Sequence, residues 1–486
     1  MNKILLSLTL IFFFFFTSIA QTKPEWDKIF KEINEDVLAN SQAYVNLQQA
    51  TNKIGHRLTG SANGAKAEQF AFDLLNFYGL ENVSFQSFKA ESWNRESLDL
   101  TIQSGNGAKP VKAVSLAHAP EKVNLTAELV DMGSGVEADY LADINKAKNK
   151  IVIAYLGVLP DAREGTKNLH RSEKTALAIK YGAKGIILYN TVPGGVLLTG
   201  TASVTGKLID IPAICIGLED GLELKNTLAK NSQTTATIKM TNKAEQITAR
   251  NVIAQIKGTK KPEEKIVVGG HLDSWDLATG AIDNGIGAFA IIDMARTLKK
   301  LKIQPERTIE FVLFMGEEEG LLGSKAYIEQ AIADKSIRNI RYMLNYDMTN
   351  DPKSFHASLE TSRELFEGIG NRVKLIDSTF KNNFQASAEL HSDHQPFMLY
   401  GIPTGGGGDG YLSKDVLNCY HADCDNFNLV DEKGLKSTVR FNAMLTFGLA
   451  DASEIKAKRL SDQEVKKLMI DNNLEEPLRI SGDWRW

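Results

Sequence analysis

The stretch from Ile266 to Ala288, IVVGGHLDSWDLATGAIDNGIGA, constrains the fold of this chain more than any other. Ile266-Val267-Val268 is apolar and β-branched and is bounded by Gly269-Gly270, so it reads as a buried strand of the parallel type. It stops at His271, with Asp273 close behind. Asp283-Asn284-Gly285 then opens a segment, Ile286 to Leu298, whose apolar spacing is helical. A histidine and an aspartate therefore sit at the carboxyl end of a strand and the start of the next helix. Open α/β sheets bind ligands there.

The pattern recurs. Thr308–Phe314 (TIEFVLF) is a second buried-strand candidate and runs into Gly316-Glu317-Glu318-Glu319-Gly320. Ile340–Tyr346 (IRYMLNY) is a third and ends at Asp347, and a later segment, Asn418 to Asp425, places His421 beside acids. These segments deliver His271, Asp283, Glu317/Glu318, Asp347 and His421 to one edge of one sheet. Buried charge of this kind is unfavourable unless it is paired or binds metal. A metal centre is the simplest reading.

At 486 residues the chain has room for two domains. It is 43% hydrophobic with a net charge of −4, so no basic surface points to nucleic acid. Met1–Ala20 has Lys3, an apolar core from Ile4 to Phe16, and small residues at Ser18 and Ala20 before Gln21, the parts of a secretory signal peptide. That core falls short of the ~20 residues needed to span a bilayer. The chain is expected to be secreted or periplasmic, with no stable membrane insertion after cleavage. Export permits disulfides. Cys419 and Cys424 flank His421 closely enough to be bridged, with two buried thiols as the open alternative. Cys215, inside the apolar run Ile211–Ile216, reads as core packing.

Helical patterning opens at Ser41–Ile54 and continues at Ala62–Tyr78, joined by the glycine-containing loop Gly55–Gly60. Val83–Phe88 and Leu98–Gln103 read as two strands, and His56 and Trp93 as structural residues. From about Leu116 to Glu245, short strands (Leu125–Leu129, Lys150–Tyr155, Gly185–Tyr189) alternate with helices such as Ser172–Tyr181. A Gly/Thr-rich region spans Pro193–Lys207. His118 and His170 stand alone in this block, read as surface or core residues, and no acid–histidine cluster has ligand spacing. It therefore reads as a lid, specificity or interaction domain, 116–245, inserted into a catalytic unit formed by 21–115 and 246–455. After a helix at Ser362–Val373 come four glycines, Gly405–Gly408, expected to be flexible backbone beside a substrate cleft because no nucleotide fingerprint surrounds them. Thr438–Ala450 is an apolar helix. The charged tail, 456–486, ends in Trp484 and Trp486, to which the sequence assigns no role.

Imidazoles and carboxylates without thiolate suit zinc among the common divalent ions, with cobalt or manganese as substitutes. A single catalytic zinc takes three protein ligands plus water. Two histidines and three carboxylates instead fit two ions that share one bridging carboxylate. Charge closes the same way, with two dications against Asp283, Glu318, Asp347 and a bridging hydroxide. Glu317 and Glu318 are neighbours whose side chains diverge. One binds metal, and the other is free to carry the proton from attacking water to leaving amine. Asp273 beside His271 and Asp425 beside His421 are candidates for orienting those imidazoles.

Taken in order, GGHLDSWD, GAIDNG, GEEEG, NYDM, SDHQPF with GIP, and YHADCDN resemble the M28 family of zinc exopeptidases. The first two blocks resemble its plasma glutamate carboxypeptidase (carboxypeptidase Q) branch in particular. The match covers most of Ala43–Ala450, and the block 116–245 resembles the protease-associated (PA) domain commonly inserted in this family. The resemblance implies an α/β fold, a mixed, mostly parallel sheet with helices on both faces, and two zinc ions per chain. Asp283 would bridge them, with His271 and Asp347 completing one site and Glu318 and His421 the other. Glu317 would be the general base, and Tyr420 would donate a hydrogen bond to the oxyanion. Asp393 and His394 lie in a family block near the cleft without an assigned role. Asp425-Asn426 departs from the Asp-Thr that family members often show. The implied activity is hydrolysis of dipeptides or short peptides, with aminopeptidase specificity as the close alternative, and relatives are often homodimers. From other classes, a single-zinc glutaminyl cyclase-like acyltransferase and a non-catalytic binding protein stay as alternatives.

Overall fold

In the computed structural model, described for residues 23, 25–105, 107–230 and 233–486, the strand at Ile266–Val268 extends from Lys261 to His271. The leader reading of Met1–Ala20 lies outside the described residues. Gly269 and Gly270 lie inside the strand rather than ending it. A Cβ on Gly269 would stand 2.5 Å from the Phe314 ring, and one on Gly270 2.4 Å from the Tyr346 carbonyl oxygen. Close approach of neighbouring segments, not a turn, explains this pair.

Arg307–Phe314 and Ile340–Asn345 flank the strand in parallel, with Val312 opposite Gly269 and Leu344 opposite Val268. Thr404–Gly408 continues the parallel order, and Ser354–Ala357 and Thr235–Ile256 add antiparallel strands further out. Both faces are covered, which is why the apolar runs are continuous. Ile266 and Val268 pack with Ile291 of the helix Ile286–Lys300 and Met444 of the helix Glu432–Asp451. Val267 points the other way, into a cluster with Tyr327, Ile328 and Phe397. The fold is thus a mixed, mostly parallel sheet between helical layers, as the sequence implies. Among the described residues no helix is long and apolar enough to cross a membrane.

The inserted block carries its own sheet, in which Lys122–Asp131, Ile151–Tyr155, Gly185–Tyr189 and Ala213–Ile216 run in parallel. It is bound to the main sheet by two long strands. The two strands expected at Val83–Phe88 and Leu98–Gln103 are one, Glu81–Ser104, bulged between Arg95 and Ser97 and paired with Thr235–Ile256. Trp93 interrupts the alternation because its ring is buried and its Nε1 donates to the Ala119 carbonyl at 2.9 Å. The return point near residue 245 falls inside the continuous strand Thr235–Ile256, so no flexible linker separates the two parts there.

Three further segments differ from the expectations. A helix, Trp26–Asn40, precedes the first expected one, and buries Trp26, Phe30, Ile33 and Val37. The glycine run is a strand, not flexible backbone. A Cβ on Gly405 would lie 2.4 Å from the His356 carbonyl oxygen and one on Gly406 2.7 Å from that of Asn345. The tail is folded into helices Asp462–Asp471 and Glu475–Ser481, and Trp484 and Trp486 pack against a cluster containing Leu399, Met469 and Leu478.

The first helix is tied down by charge. Lys23 Nζ lies 2.7 Å from Glu306 Oε1 and 2.8 Å from Asp451 Oδ2, and Lys260 reaches Glu306 Oε1 at 2.9 Å. Burial works to raise the Glu306 pKa, but the bonds from Lys23 and Lys260 outweigh it and pull it from 4.5 down to about 2. A carboxyl whose pKa is lower when folded adds stability that is complete above its unfolded pKa and is lost as pH falls through the folded one. Glu306→Gln is therefore expected to lower the melting temperature by about 2–4 °C at neutral pH. The gap to the parent should close between pH 4.5 and 2. A gap of constant size over that interval would leave the clamp without an electrostatic part.

Candidate metal centre

Each sequence-predicted ligand is set by the end of an element. His271 terminates Lys261–His271, Glu317 and Glu318 follow Arg307–Phe314 after one turn, and Asp347 follows Ile340–Asn345. Asp283 lies in a single wide turn, Ala281–Gly285, that leads into the helix Ile286–Lys300. His421 sits between Cys419 and Cys424, which are joined as a disulfide. Cys215 is a buried free thiol in the core of the insert.

These residues converge. Asp283 Oδ1 lies 3.2 Å from His271 Nε2, and Asp283 Oδ2 lies 3.0 Å from His421 Nε2. Glu318 Oε2 is 3.1 Å from His421 Nε2, and Asp347 Oδ1 is 3.4 Å from His271 Nε2. Glu317 Oε2 stands slightly back, 4.0 Å from His271 Nε2. One aspartate thus turns one oxygen toward each histidine, with a further carboxylate on each side.

The second nitrogen of each ring fixes its protonation. His271 Nδ1 is 3.2 Å from the Asp273 carbonyl oxygen, and His421 Nδ1 is 3.3 Å from the Thr199 carbonyl oxygen. A carbonyl only accepts, so in the neutral rings Nδ1 carries the proton and Nε2 turns its lone pair toward the carboxylates. Lone pairs facing carboxylates repel unless positive charge lies between them. Burial lowers the His271 pKa, yet Asp347, Glu317, Asp273 and Asp283 together drive it well above the ordinary imidazole value. The cluster calls for cations. Glu318 Oε1 is moreover buried without a hydrogen-bond partner, and donor atoms of His271, Asp283 and Glu318 all lie within 4.8 Å of one another. Imidazole and carboxylate donors without thiolate fit zinc.

The surrounding groups sort themselves by what they hold. The Asp273 carboxylate accepts from the backbone N–H of Glu317 at 3.3 Å and of Glu318 at 3.4 Å, while its carbonyl holds His271. Asp425 does not orient His421. It accepts from the backbone N–H of Ile282 at 2.8 Å and of Asp283 at 3.0 Å, and so places the shared aspartate. Ser392 donates to Asp347 Oδ2 at 2.7 Å. Burial, with Asp347 and Glu318 working against the attraction of His271, lifts the Glu317 pKa well above the usual carboxylate range. Tyr420 stacks on His421 with ring centroids 3.9 Å apart. It lines a cavity of about 420 Å³ together with Asp283, Glu317, Glu318, Asp347 and His421. His394 lines it too, and Asp393 is buried beneath. His118 is a core residue, whereas His170, though read as surface or core, borders this cavity from the insert.

Sequence reasoning missed three positions. Thr199 supplies the carbonyl that orients His421. Asn284 donates to the Tyr346 carbonyl at 2.9 Å and accepts from Met348 N–H at 3.0 Å, locking the Asp283 turn to the Asp347 loop. Arg57 is fully buried and donates to the carbonyls of Leu272 at 2.6 Å, Thr279 at 2.7 Å and Gly280 at 2.8 Å. It lies in the loop that sequence showed only as glycine-containing. Arg57→Met removes three hydrogen bonds, leaving the Gly280 carbonyl only its bond from Gly285 N–H, and strips a counter-charge from Asp425, Asp273, Asp283 and Glu318. We expect a loss of about 3–5 kcal/mol in chemical denaturation together with a fall in bound zinc. An unchanged midpoint with full zinc content would show that the loop holds itself.

With this geometry in place, comparison with known proteins gives a consistent picture. The family description for peptidase family M28 matches residues 251–446, and that for the PA domain matches residues 125–224. The chain is 31% identical over 437 residues to carboxypeptidase Q from Rattus norvegicus, covering 85% of this chain and 86% of that protein. The crystal structure of a peptidase M28 precursor from Shewanella amazonensis superposes with a TM-score of 0.75 at 22% identity, over 90% of this chain and 99% of that one. A zinc aminopeptidase from Bacillus subtilis superposes with a TM-score of 0.60 at 25% identity, over 87% and 98% of the two chains.

Proposed function

The chain belongs to peptidase family M28 and is a zinc exopeptidase, and we propose that it works with two zinc ions, cleaves dipeptides and other short peptides, and acts after export. The observation that carries the two-ion reading is Asp283, whose two oxygens face two different histidines. In this reading His271 and Asp347 hold one ion, Glu318 and His421 hold the other, and Asp283 serves both. Bound zinc supplies an acidified water and polarises the scissile carbonyl.

The chain's own residues do the rest. Glu317 is close to the cluster but not needed as a ligand, and it lines the cavity beside His271, which suits a base for the attacking water. It accepts the proton of the attacking water and returns it to the leaving amine. Asp273 keeps Glu317 and Glu318 in register through their backbone N–H groups. Tyr420 turns its ring along His421 and offers its hydroxyl to the developing oxyanion. The reading of 1–20 as a cleaved leader, with the disulfide beside His421, supports export.

Chelation is the direct test. Removing zinc is expected to abolish dipeptide hydrolysis, and readding zinc to restore it with two ions per chain. Full activity in demetallated protein would exclude the mechanism, and activity restored at one ion per chain would favour the single-zinc acyltransferase type of site instead.

A further inference from the structure

We propose that Arg171, contributed by the inserted domain, binds the free α-carboxylate of the substrate and so makes the enzyme a dipeptidase or carboxypeptidase. The inference rests on the peptidase reading above and specifies which end of the peptide is recognised.

Arg171 is the first residue of the helix Arg171–Lys180 and is only 6% exposed, yet it borders the same cavity as Asp283, Glu317, Tyr420 and His421. Its Nε is buried with no hydrogen-bond partner. Its guanidinium pairs with no carboxylate among the described residues, although acids crowd the cavity. Glu173, on the same helix, turns instead toward His391, with Oε1 3.6 Å from Nε2, and accepts the backbone N–H of His170 at 2.7 Å. A buried guanidinium without a partner is strongly unfavourable, and the anion that satisfies it best is a carboxylate held by two parallel N–H bonds.

The seat is built for that side chain. Gly200 packs beneath it with φ +135°, and a Cβ there would fall 1.8 Å from Arg171 Nε. The position demands glycine twice over, by backbone conformation and by the space that the guanidinium occupies. In a dipeptide the α-carboxylate lies within about one residue length, ~3.5 Å of chain, of the scissile carbonyl. A carboxylate anchor must therefore share a cavity with the metal ligands, and Arg171 does. Lys325 also lines this cavity but is more exposed.

The test compares Ala-Leu, Ala-Leu-amide and Ala-Glu-amide on zinc-loaded parent, Arg171→Met, Arg171→Lys and Lys325→Met proteins of matched melting temperature. The parent should prefer Ala-Leu over its amide by about 30-fold or more in kcat/KM. Arg171→Met should erase that preference through KM, with kcat within about threefold, and Arg171→Lys should restore part of it. Lys325→Met should leave it intact. A parent indifferent to C-terminal amidation, a preference that survives in Arg171→Met or vanishes in Lys325→Met, or equal losses on both Leu substrates would overturn the proposal. A preference for Ala-Glu-amide that Arg171→Met removes would assign Arg171 to an acidic side chain and equally overturn it. Calorimetric titration of Ala-Leu and its amide into Glu317→Gln protein, with and without Arg171→Met, separates the two claims. If no protein turns over, the peptidase reading fails, while the ratio of binding constants still decides the role of Arg171.

Discussion

Glu317→Gln protein is expected to bind its full complement of zinc and to turn over dipeptides about a hundredfold to ten-thousandfold more slowly than the parent. The two effects separate because Glu317 stands 4.0 Å from His271 Nε2, behind the closer ligand distances of 3.0–3.4 Å made by Asp283, Glu318 and Asp347. Glutamine keeps the volume and can still hydrogen-bond, but it cannot take a proton. The Asp273 carboxylate grips the backbone N–H groups of Glu317 and Glu318, not their side chains, so the loop should stay in place. Zinc content by atomic absorption and kcat on the same sample make the comparison. A variant with full zinc and near-parent turnover would remove Glu317 from the chemistry. A variant that loses both would make it a ligand.

Asp283→Ala should have the opposite signature, losing metal and activity together. Outer partners of metal ligands already matter by about tenfold to a hundredfold in affinity, and in the proposed two-ion reading Asp283 would touch both ions directly. Its removal leaves the two histidine Nε2 atoms without the aspartate that faces both, and would leave each ion of the proposed pair with two of its three protein donors. We expect fewer than two zinc ions per chain at micromolar metal and no measurable hydrolysis. Two tightly held ions in Asp283→Ala would mean that the sites are independent and that the shared carboxylate is a misreading of the geometry.

Much of this centre was legible in the chain before folding. The strands at Ile266, Thr308 and Ile340 announce themselves because parallel strands are buried on both faces and so read as unbroken apolar runs. A histidine or an acid that ends such a run is conspicuous, and three such ends in one chain, at His271, Glu317–Glu318 and Asp347, with Asp283 and His421 added, imply a shared site. Adjacency in sequence misled elsewhere. Asp425 stands four residues from His421 but serves the turn at Ile282 and Asp283, because a tight disulfide-closed loop turns its carboxylate away from the imidazole. The glycine run looked like slack chain. It is a strand whose neighbours press too close for side chains, a property of the packing that composition does not carry.

The inserted domain marks the same boundary between what is local and what is not. It looked remote from the chemistry because it holds no ligand-spaced acids or histidines. Its contributions are the Thr199 carbonyl on His421 and the guanidinium at the cavity edge. Every residue has a carbonyl, and an arginine at the head of a helix resembles any surface cation.

The order of the central strands and the candidate donor types were legible in the sequence alone, since these follow from hydrophobic periodicity and from the chemistry of histidine and carboxylate. Which oxygen faces which nitrogen, which backbone groups orient the rings and which cation is left unpaired were decided only when segments more than 200 residues apart, such as Arg57 with Leu272 and Thr199 with His421, came into contact. Those choices depend on distance and direction across the fold, and a linear pattern encodes neither.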